Sequence, residues 1–342
     1  ELGKALNQSD RIGVLGQPVQ EAQKGHAPAG QKGGGNVDTC SGEGRPALLE
    51  LRGLSVAFGR GRRRVTAVNS VSLTLERGET LGLVGESGSG KTTIGRAILR
   101  LVPPTSGTIW FDGMRIDAGV SREQHRTLTR RIQMVFQDPM SSLNERAKVG
   151  YIVSEGLYRF PLTAAQRREA AAEALRSVGM PAESMNRFPH EFSGGQRQRI
   201  GLARALAVRP DLIVADEPVS ALDVSVRAQI LNLFRSLSEC SGLAILFISH
   251  DLSVVRWLAD RVAVIYAGRI VETAPTEELF RHPCHPYTRA LLASIPAADP
   301  RRRHISLPPF RPGPEQGCAL REISPGHLVF CTPQAYDRLR TI

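Results

Sequence analysis

The stretch from residue 81 to residue 93 constrains the fold and the function of this chain more than any other. An apolar run is followed by Gly85, four further residues and Gly90-Lys91-Thr92. This spacing is that of a phosphate-binding loop between a buried strand and a helix. The glycines let successive backbone N–H groups turn inward, and the positive end of the helix faces the same point. The sequence therefore predicts a nucleoside triphosphate site.

Two side chains of this loop have predicted roles in the chemistry. Lys91 can reach the β- and γ-phosphates, and the Thr92 hydroxyl can bind Mg²⁺. A flexible turn is the alternative interpretation, which the strand–loop–helix context disfavours. The candidate ATP-binding residues of the loop are Gly85, Glu86, Ser87, Gly88, Ser89, Gly90, Lys91, Thr92 and Thr93.

Composition narrows the class of protein. The 342 residues are 41% apolar, but no apolar run approaches the roughly 20 residues that span a bilayer. Five cysteines without close paired spacing indicate reduced thiols. The net charge is +11, yet the arginines are scattered and only 5% of residues are aromatic. We expect no nucleic-acid partner, because proteins that bind single strands use more aromatic side chains, on which the bases stack. The positive charge is interpreted as solvated surface, and attraction to anionic lipid headgroups is a second interpretation.

The residue composition and the pattern of apolar residues change several times along the chain. Residues 1–45 are rich in Gly, Gln, Ala and Pro, which predicts a linker or disordered leader. Residues 49–58 form a strand-like run, and residues 71–75 alternate as a half-exposed strand does. The continuous apolar runs 212–216 and 244–249 are typical of parallel strands buried on both faces. Residues from about 140 to 192 are helical in character. The pattern predicts an α/β core with a helical insert.

An acidic pair follows one of these apolar runs. Asp216 and Glu217 come directly after residues 212–215, and an acidic residue at the end of a buried strand can hold the Mg²⁺ shell of a nucleotide. Asp216 suits that role, and Glu217 is placed to polarise the attacking water. Two exposed carboxylates at a strand end are the alternative, which the phosphate-binding loop in the same chain disfavours.

Ser193-Gly194-Gly195-Gln196 opens a predicted helix. Ser193 can cap it, and the two glycines expose backbone N–H groups at its positive end. Together with the loop and the acidic pair, this stretch resembles the signature of ATP-binding cassette (ABC) ATPases, and the resemblance covers most of residues 47–295. It implies a P-loop (RecA-like) α/β ATPase core with an N-terminal antiparallel β region and a helical subdomain that carries the signature.

The resemblance assigns further residues. It implies Gln137 in the Q-loop, where the side chain contacts ATP and Mg²⁺ together with Thr92 and Asp216. It implies Asp223 in the D-loop and His250 as the switch residue beside the γ-phosphate. The signature would contact ATP held by an opposite subunit, so that two cassettes close head to tail over two nucleotides.

Finer features are similar to the dipeptide/oligopeptide/nickel importer ATPases. They include residues 136–144, the Pro-His-Glu-Phe run before the signature, and His285-Pro286-Tyr287-Thr288. Glu145 stands where that family commonly has proline, which we interpret as tuning of the contact between the helical insert and the membrane partner. Phe58 is either an adenine-stacking residue, as in the family, or a core residue on the strand face of Leu54 and Val56.

The tail departs from the family pattern. Cys318 and Cys331 match two of the cysteines that can hold an iron–sulfur cluster, but Ser324 replaces another. Such a cluster needs four thiolates, so we expect none here. The expected divisions are a leader at 1–45, a cassette at 46–290 with its helical part at about 138–200, and an incomplete extension at 291–342.

The resemblance implies a function and partners. We expect an ATPase subunit of an importer at the cytoplasmic face of the cell membrane, acting on peptides with ATP and Mg²⁺. Its partners would be a second cassette, a transmembrane permease and, indirectly, an extracytoplasmic solute-binding protein. Nickel or another small solute is an alternative cargo. An ABC ATPase of DNA repair or translation is the alternative from another class.

Overall fold

The computed structural model describes residues 47–59, 61–138, 142–294, 310 and 317–340. The predicted leader at 1–45 lies outside these residues. The strands are β1 (Leu49–Phe58), β2 (Val65–Leu75), β3 (Thr80–Val84), β4 (Ser106–Phe111), β5 (Met114–Arg115), β6 (Ile132–Val135), β7 (Leu212–Asp216), β8 (Ala244–Ser249), β9 (Arg261–Tyr266), β10 (Arg269–Pro275), β11 (Ala319–Ser324) and β12 (His327–Cys331). The α-helices are α1 (Lys91–Ile98), α2 (Arg122–Arg131), α3 (Val149–Ser154), α4 (Ala164–Ser177), α5 (Gly194–Leu206), α6 (Val224–Ser241), α7 (Leu252–Leu258), α8 (Thr276–Arg281), α9 (Pro286–Ala293) and α10 (Pro333–Leu339).

The main sheet places four strand ends along one edge. Strands β9, β3, β8, β7 and β6 are neighbours in that order and run parallel. Every residue of β3, β7 and β8 is buried, as their continuous apolar runs predict. Val84 stands opposite Ser249, and Asp216 opposite Ile248. The segments that follow these strands therefore meet at one edge, where ligands bind in open α/β sheets.

A second, antiparallel sheet covers one face of the main sheet. Its strand order is β2-β1-β4-β5, and its apolar residues share one core with those of β3 and β8, including Leu51, Leu75, Leu83 and Ile248. The predicted α/β fold with an N-terminal antiparallel region is confirmed. The strand that leads into the phosphate-binding loop is consequently packed between protein layers.

Helices α3, α4 and α5 lie between β6 and β7 in the chain. Thr163 caps α4 and Ser193 caps α5, each in a capping box with the glutamine three residues later. Ile152, Leu175 and Ile200 are buried in the core that also holds the other face of the main sheet. The signature thus stands at the start of a helix whose position is fixed by packing.

The C-terminal part continues the main sheet, which sequence reasoning did not foresee. Strands β11 and β12 form an antiparallel hairpin, and β12 pairs with β10 through Glu272 opposite Val329. The extension is therefore joined to the cassette by backbone pairing, while the division at residue 290 stays a prediction. In the described part of the chain, no helix is both long and apolar enough to cross a membrane.

Candidate functional site

The ammonium group of Lys91 is held inside the loop. Its Nζ donates to the carbonyl oxygens of Gly85 and Glu86, both at 2.7 Å, and the residue is only 5% exposed. Burial lowers the pKa of Lys91, and the carboxylates of Glu217 and Asp216 act in the opposite direction. Two of the three N–H donors of the ammonium are thus used within the loop, which leaves one for a phosphate oxygen.

Two glycines of the loop are required by close contacts. A Cβ at Gly85 would lie 2.2 Å from the carbonyl oxygen of Ile265. Gly90 has a φ of +105°, and a Cβ there would lie 2.4 Å from the carbonyl oxygen of Ala67. Because the loop rests directly on neighbouring backbone, any side chain at these positions would push it from its place.

Thr92 and Asp216 form the predicted metal pair. The Thr92 hydroxyl donates to the Asp216 carboxylate at 3.0 Å, and Asp216 is 6% exposed. Burial raises the pKa of Asp216, partly opposed by the bond from Thr92. A hydroxyl and a carboxylate oxygen side by side are the hard ligands that Mg²⁺ prefers, so these two residues fit the ion.

Three predicted residues meet at the Glu217 carboxylate. Gln137 Nε2 donates to Glu217 Oε2 at 3.2 Å, and His250 Nδ1 lies 3.2 Å from the same oxygen. The Gln137 amide is also 3.5 Å from the Ser220 hydroxyl. Gln137, Glu217 and His250 follow β6, β7 and β8, so the aligned strand ends bring them together. In this arrangement Gln137 contacts the candidate base, and its predicted contact with Mg²⁺ stays a prediction.

Glu217 has a backbone conformation that is rare outside glycine. Its φ is +46°, and its N–H donates to the carbonyl of Ile248 at 2.9 Å. Such strain costs about 1–3 kcal/mol and occurs preferentially at functional sites. In this conformation the Glu217 carboxylate contacts Gln137 and His250, which follow the neighbouring strands.

The signature lies at the exposed start of α5. Ser193, Gly194 and Gln196 are exposed, whereas Gly195 is buried, and a Cβ there would lie 2.2 Å from Val226 Cγ1. The hydrogen bonds of residues 193–196 are the capping box and helical bonds of α5. None of those within the described residues reaches the loop at 85–93. Asp223 precedes α6 and is also exposed.

Comparisons with known proteins agree with this geometry. Residues 68–220 match the family model described as ABC transporter, and residues 271–322 match that of the oligopeptide/dipeptide transporter, C-terminal region. The oligopeptide transport ATP-binding protein AmiF of Streptococcus pneumoniae is 53% identical over 290 residues, covering 83% of this chain and 94% of that protein. The chain belongs to the ABC transporter family.

Other relatives support the same assignment. OppF of Streptococcus pyogenes serotype M1, also named an oligopeptide transport ATP-binding protein, is 51% identical over 298 residues, covering 85% of this chain and 97% of that protein. The dimeric ATP-binding cassette MJ0796 bound to ADP and Pi has a TM-score of 0.61 and 29% identity, covering 67% of this chain and 99% of that one. The resemblance to ABC ATPases is confirmed, and this chain is an ABC ATPase.

Phe58 lies at the end of β1 and is 46% exposed. Leu54 and Val56 on the same strand are fully buried, and register shifts follow each of them. The core-packing alternative for Phe58 is therefore wrong. Stacking on adenine stays a prediction for this ABC cassette, since an exposed ring is free to take a ligand.

The tail cysteines lie on the C-terminal hairpin. Cys331 is buried in β12 opposite Ala319, beside the partly buried Cys318, and Ser324 closes β11. Within the described residues, the one group of three metal-ligating side chains contains neither: it consists of Glu272, Cys284 and His327. The expectation that this ABC ATPase holds no iron–sulfur cluster stays a prediction.

Sequence reasoning missed one contact of the phosphate-binding loop. The hydroxyl of Tyr287 accepts a hydrogen bond from the backbone N–H of Glu86 at 3.1 Å, across 201 residues of sequence. In the sequence, the His-Pro-Tyr-Thr run is a marker of the family and no more, because no local pattern links it to the loop.

We expect Lys91→Ala to lower ATP affinity at least tenfold and to abolish hydrolysis. The buried cation makes charge-assisted bonds that alanine cannot replace, each contributing about 1.5–3 kcal/mol. ATP binding by titration calorimetry and phosphate release by the purified chain measure both effects. Lys148→Ala, at an exposed lysine before α3, is the matched control, and an unchanged Lys91 variant would contradict the loop assignment.

Proposed function

We propose that this chain is the ATP-hydrolysing subunit of an importer of di- and oligopeptides. It works at the cytoplasmic face of the cell membrane under a transmembrane permease, with a second cassette beside it. An extracytoplasmic solute-binding protein delivers the peptide. The observation that carries the substrate class is the 53% identity to AmiF, which spans 94% of that protein and reaches into the C-terminal region of this chain.

In the proposed mechanism the loop binds the triphosphate and Glu217 activates water. Lys91 exchanges part of its bonding from loop carbonyls to phosphate oxygens. Glu217 accepts the proton of the attacking water, while Gln137 and His250 hold that carboxylate in place. Thr92 and Asp216 would hold Mg²⁺, which would neutralise part of the phosphate charge.

The signature completes the site of a second cassette. Ser193 and Gly194 are exposed at the positive end of α5, and their hydrogen bonds stay within that helix start. Backbone N–H groups at such an end bind phosphate. A head-to-tail pair uses these groups on the opposite ATP, and the solved cassette MJ0796, described as dimeric with ADP and Pi, supports that arrangement.

Glu217→Gln separates binding from hydrolysis. The amide keeps the shape of the side chain but cannot take the proton, so we expect hydrolysis to fall about a hundredfold or more. ATP still binds because Lys91, Thr92 and Asp216 are unchanged, and the closed pair becomes long-lived. Phosphate release and size-exclusion chromatography with ATP, on the chain alone and with its co-purifying cassette, measure the two effects.

The control for this variant is Glu239→Gln, an exposed glutamate on α6. Hydrolysis by Glu217→Gln at the wild-type rate would remove Glu217 from catalysis. A variant that binds ATP yet never pairs would contradict the head-to-tail arrangement while leaving the base assignment standing.

A cleft beside the Q-loop is the proposed docking site of the permease. It has a volume of about 980 Å³ and lies between the core strand β6 and the segment 155–160 that follows α3. Its lining includes Phe136, the residue before Gln137, so movement of Gln137 can pass to a segment bound in the cleft. Its lining favours an acidic cytoplasmic segment, with the carboxylates Glu123, Glu155 and Asp211 against the arginines Arg100, Arg126, Arg130, Arg131, Arg159, Arg204 and Arg209.

Arg159→Glu tests this docking site. The side chain is exposed in the cleft, and reversing its charge should repel an acidic segment. We expect at least a several-fold loss of permease co-purified from native membranes, with basal ATP hydrolysis unchanged. Arg146→Glu, exposed but outside the cleft lining, is the control. Equal recovery of permease with both variants would contradict the assignment.

Uptake by intact cells tests the proposed cargo. Cells that carry Glu217→Gln in place of the wild-type chain should lose ATP-driven uptake of a labelled oligopeptide and keep uptake of labelled Ni²⁺. The reverse result would assign a nickel importer. Normal uptake of both, with sensitivity to DNA damage, would instead favour the non-transport class of ABC ATPase.

A further inference from the structure

Tyr287 lies on helix α9, far from the loop in sequence and in contact with it in space. The residue is 2% exposed, and its hydroxyl accepts a hydrogen bond from the backbone N–H of Glu86 at 3.1 Å. Burial raises the pKa of Tyr287 to about 12, so the hydroxyl is neutral at physiological pH. A buried neutral oxygen is therefore a permanent acceptor for this loop N–H.

Tyr287 and Lys91 bind the two sides of one peptide unit. The N–H of Glu86 and the carbonyl of Gly85 belong to the same planar Gly85–Glu86 peptide and point in opposite directions. The carbonyl accepts from Lys91 Nζ at 2.7 Å, while the N–H donates to Tyr287. Fixing the N–H therefore fixes the orientation of the carbonyl that positions the Lys91 ammonium.

The ring of Tyr287 is itself held by aromatic neighbours. Its centroid lies 4.5 Å from that of Tyr266 and 5.6 Å from that of Phe310. The backbone N–H of Tyr287 donates to His285 Nδ1 at 3.2 Å, which caps α9. The hydroxyl is thus placed by packing and by a helix cap, and little rotational freedom remains.

The segment before α9 is fastened by the buried carboxylate of Glu272. It accepts from the N–H groups of Cys284 at 2.7 Å and His285 at 3.0 Å, and it lies 2.8 Å from His327 Nε2 on the C-terminal hairpin. Glu272 and His327 are at most 1% exposed. Glu272, Cys284 and His327 are the three metal-ligating residues that lie close together. The hydrogen bonds of the Glu272 carboxylate account for their proximity.

We propose that Tyr287 is a positioning residue for ATP binding, holding the phosphate-binding loop from behind through the Glu86 N–H. The contact runs from the hairpin through Glu272 and α9 to the peptide that orients Lys91. This role rests on the ATPase function of the chain, since the loop that Tyr287 positions is the one that binds the triphosphate.

Tyr287→Phe tests the role with the ring retained. Without the hydroxyl, the Glu86 N–H loses its acceptor, and we expect the KM for ATP and the Kd for ADP to rise about fivefold, the scale of one net hydrogen bond. The kcat should change by less than about twofold, because Glu217 is untouched. Tyr266→Phe, which removes a hydroxyl from the neighbouring ring, is the matched control.

Hydrogen exchange of the nucleotide-free protein gives a second readout. Amides of residues 84–90 should exchange several-fold faster in Tyr287→Phe than in wild type or Tyr266→Phe, with little change elsewhere. A purely structural role would lower the melting temperature and leave KM and loop exchange unchanged, which would overturn the proposal. If the wild-type chain hydrolyses no ATP, the proposed function fails, and exchange of the loop still decides the role of Tyr287.

Discussion

The nucleotide site depends on one buried ammonium group. Lys91 is held by two carbonyls of its own loop, and these carbonyls are correctly placed only because Gly85 lies directly against the backbone of β9. Burial alone would favour the neutral amine, while Asp216 and Glu217 favour the cation. The site therefore combines one buried positive charge with two acidic groups before any phosphate arrives.

The two acidic groups, Asp216 and Glu217, lie in different environments. Asp216 is shielded in β7 and bonded to Thr92, whereas Glu217 is turned by its strained backbone toward Gln137 and His250. In the proposed mechanism, these adjacent positions in the sequence perform two tasks, oxygen ligation of the metal by Asp216 and water activation by Glu217. The two side chains are separated because β7 ends at Asp216, and the left-handed backbone conformation of Glu217 turns its side chain in another direction.

Local patterns predicted the parts of the fold that local forces determine. The loop, the capped start of α5 and the buried strands each follow from residues close in sequence. The exposure of Phe58 and the contact of Tyr287 with Glu86 could not be predicted this way. The exposure of Phe58 follows from register shifts in β1, and the contact of Tyr287 follows from packing between segments far apart in the chain. The periodicity of the apolar residues predicts neither.

The C-terminal hairpin also changes where the sheet meets water. Without β12, strand β10 would be an edge strand, and the carboxylate of Glu272 would lie at a hydrated border. With the hairpin paired, Glu272 has no exposed surface and contacts His327 in the protein interior. Pairing of β12 with β10 thus removes the Glu272 carboxylate from solvent. The solvation of this end of the main sheet therefore depends on the C-terminal hairpin.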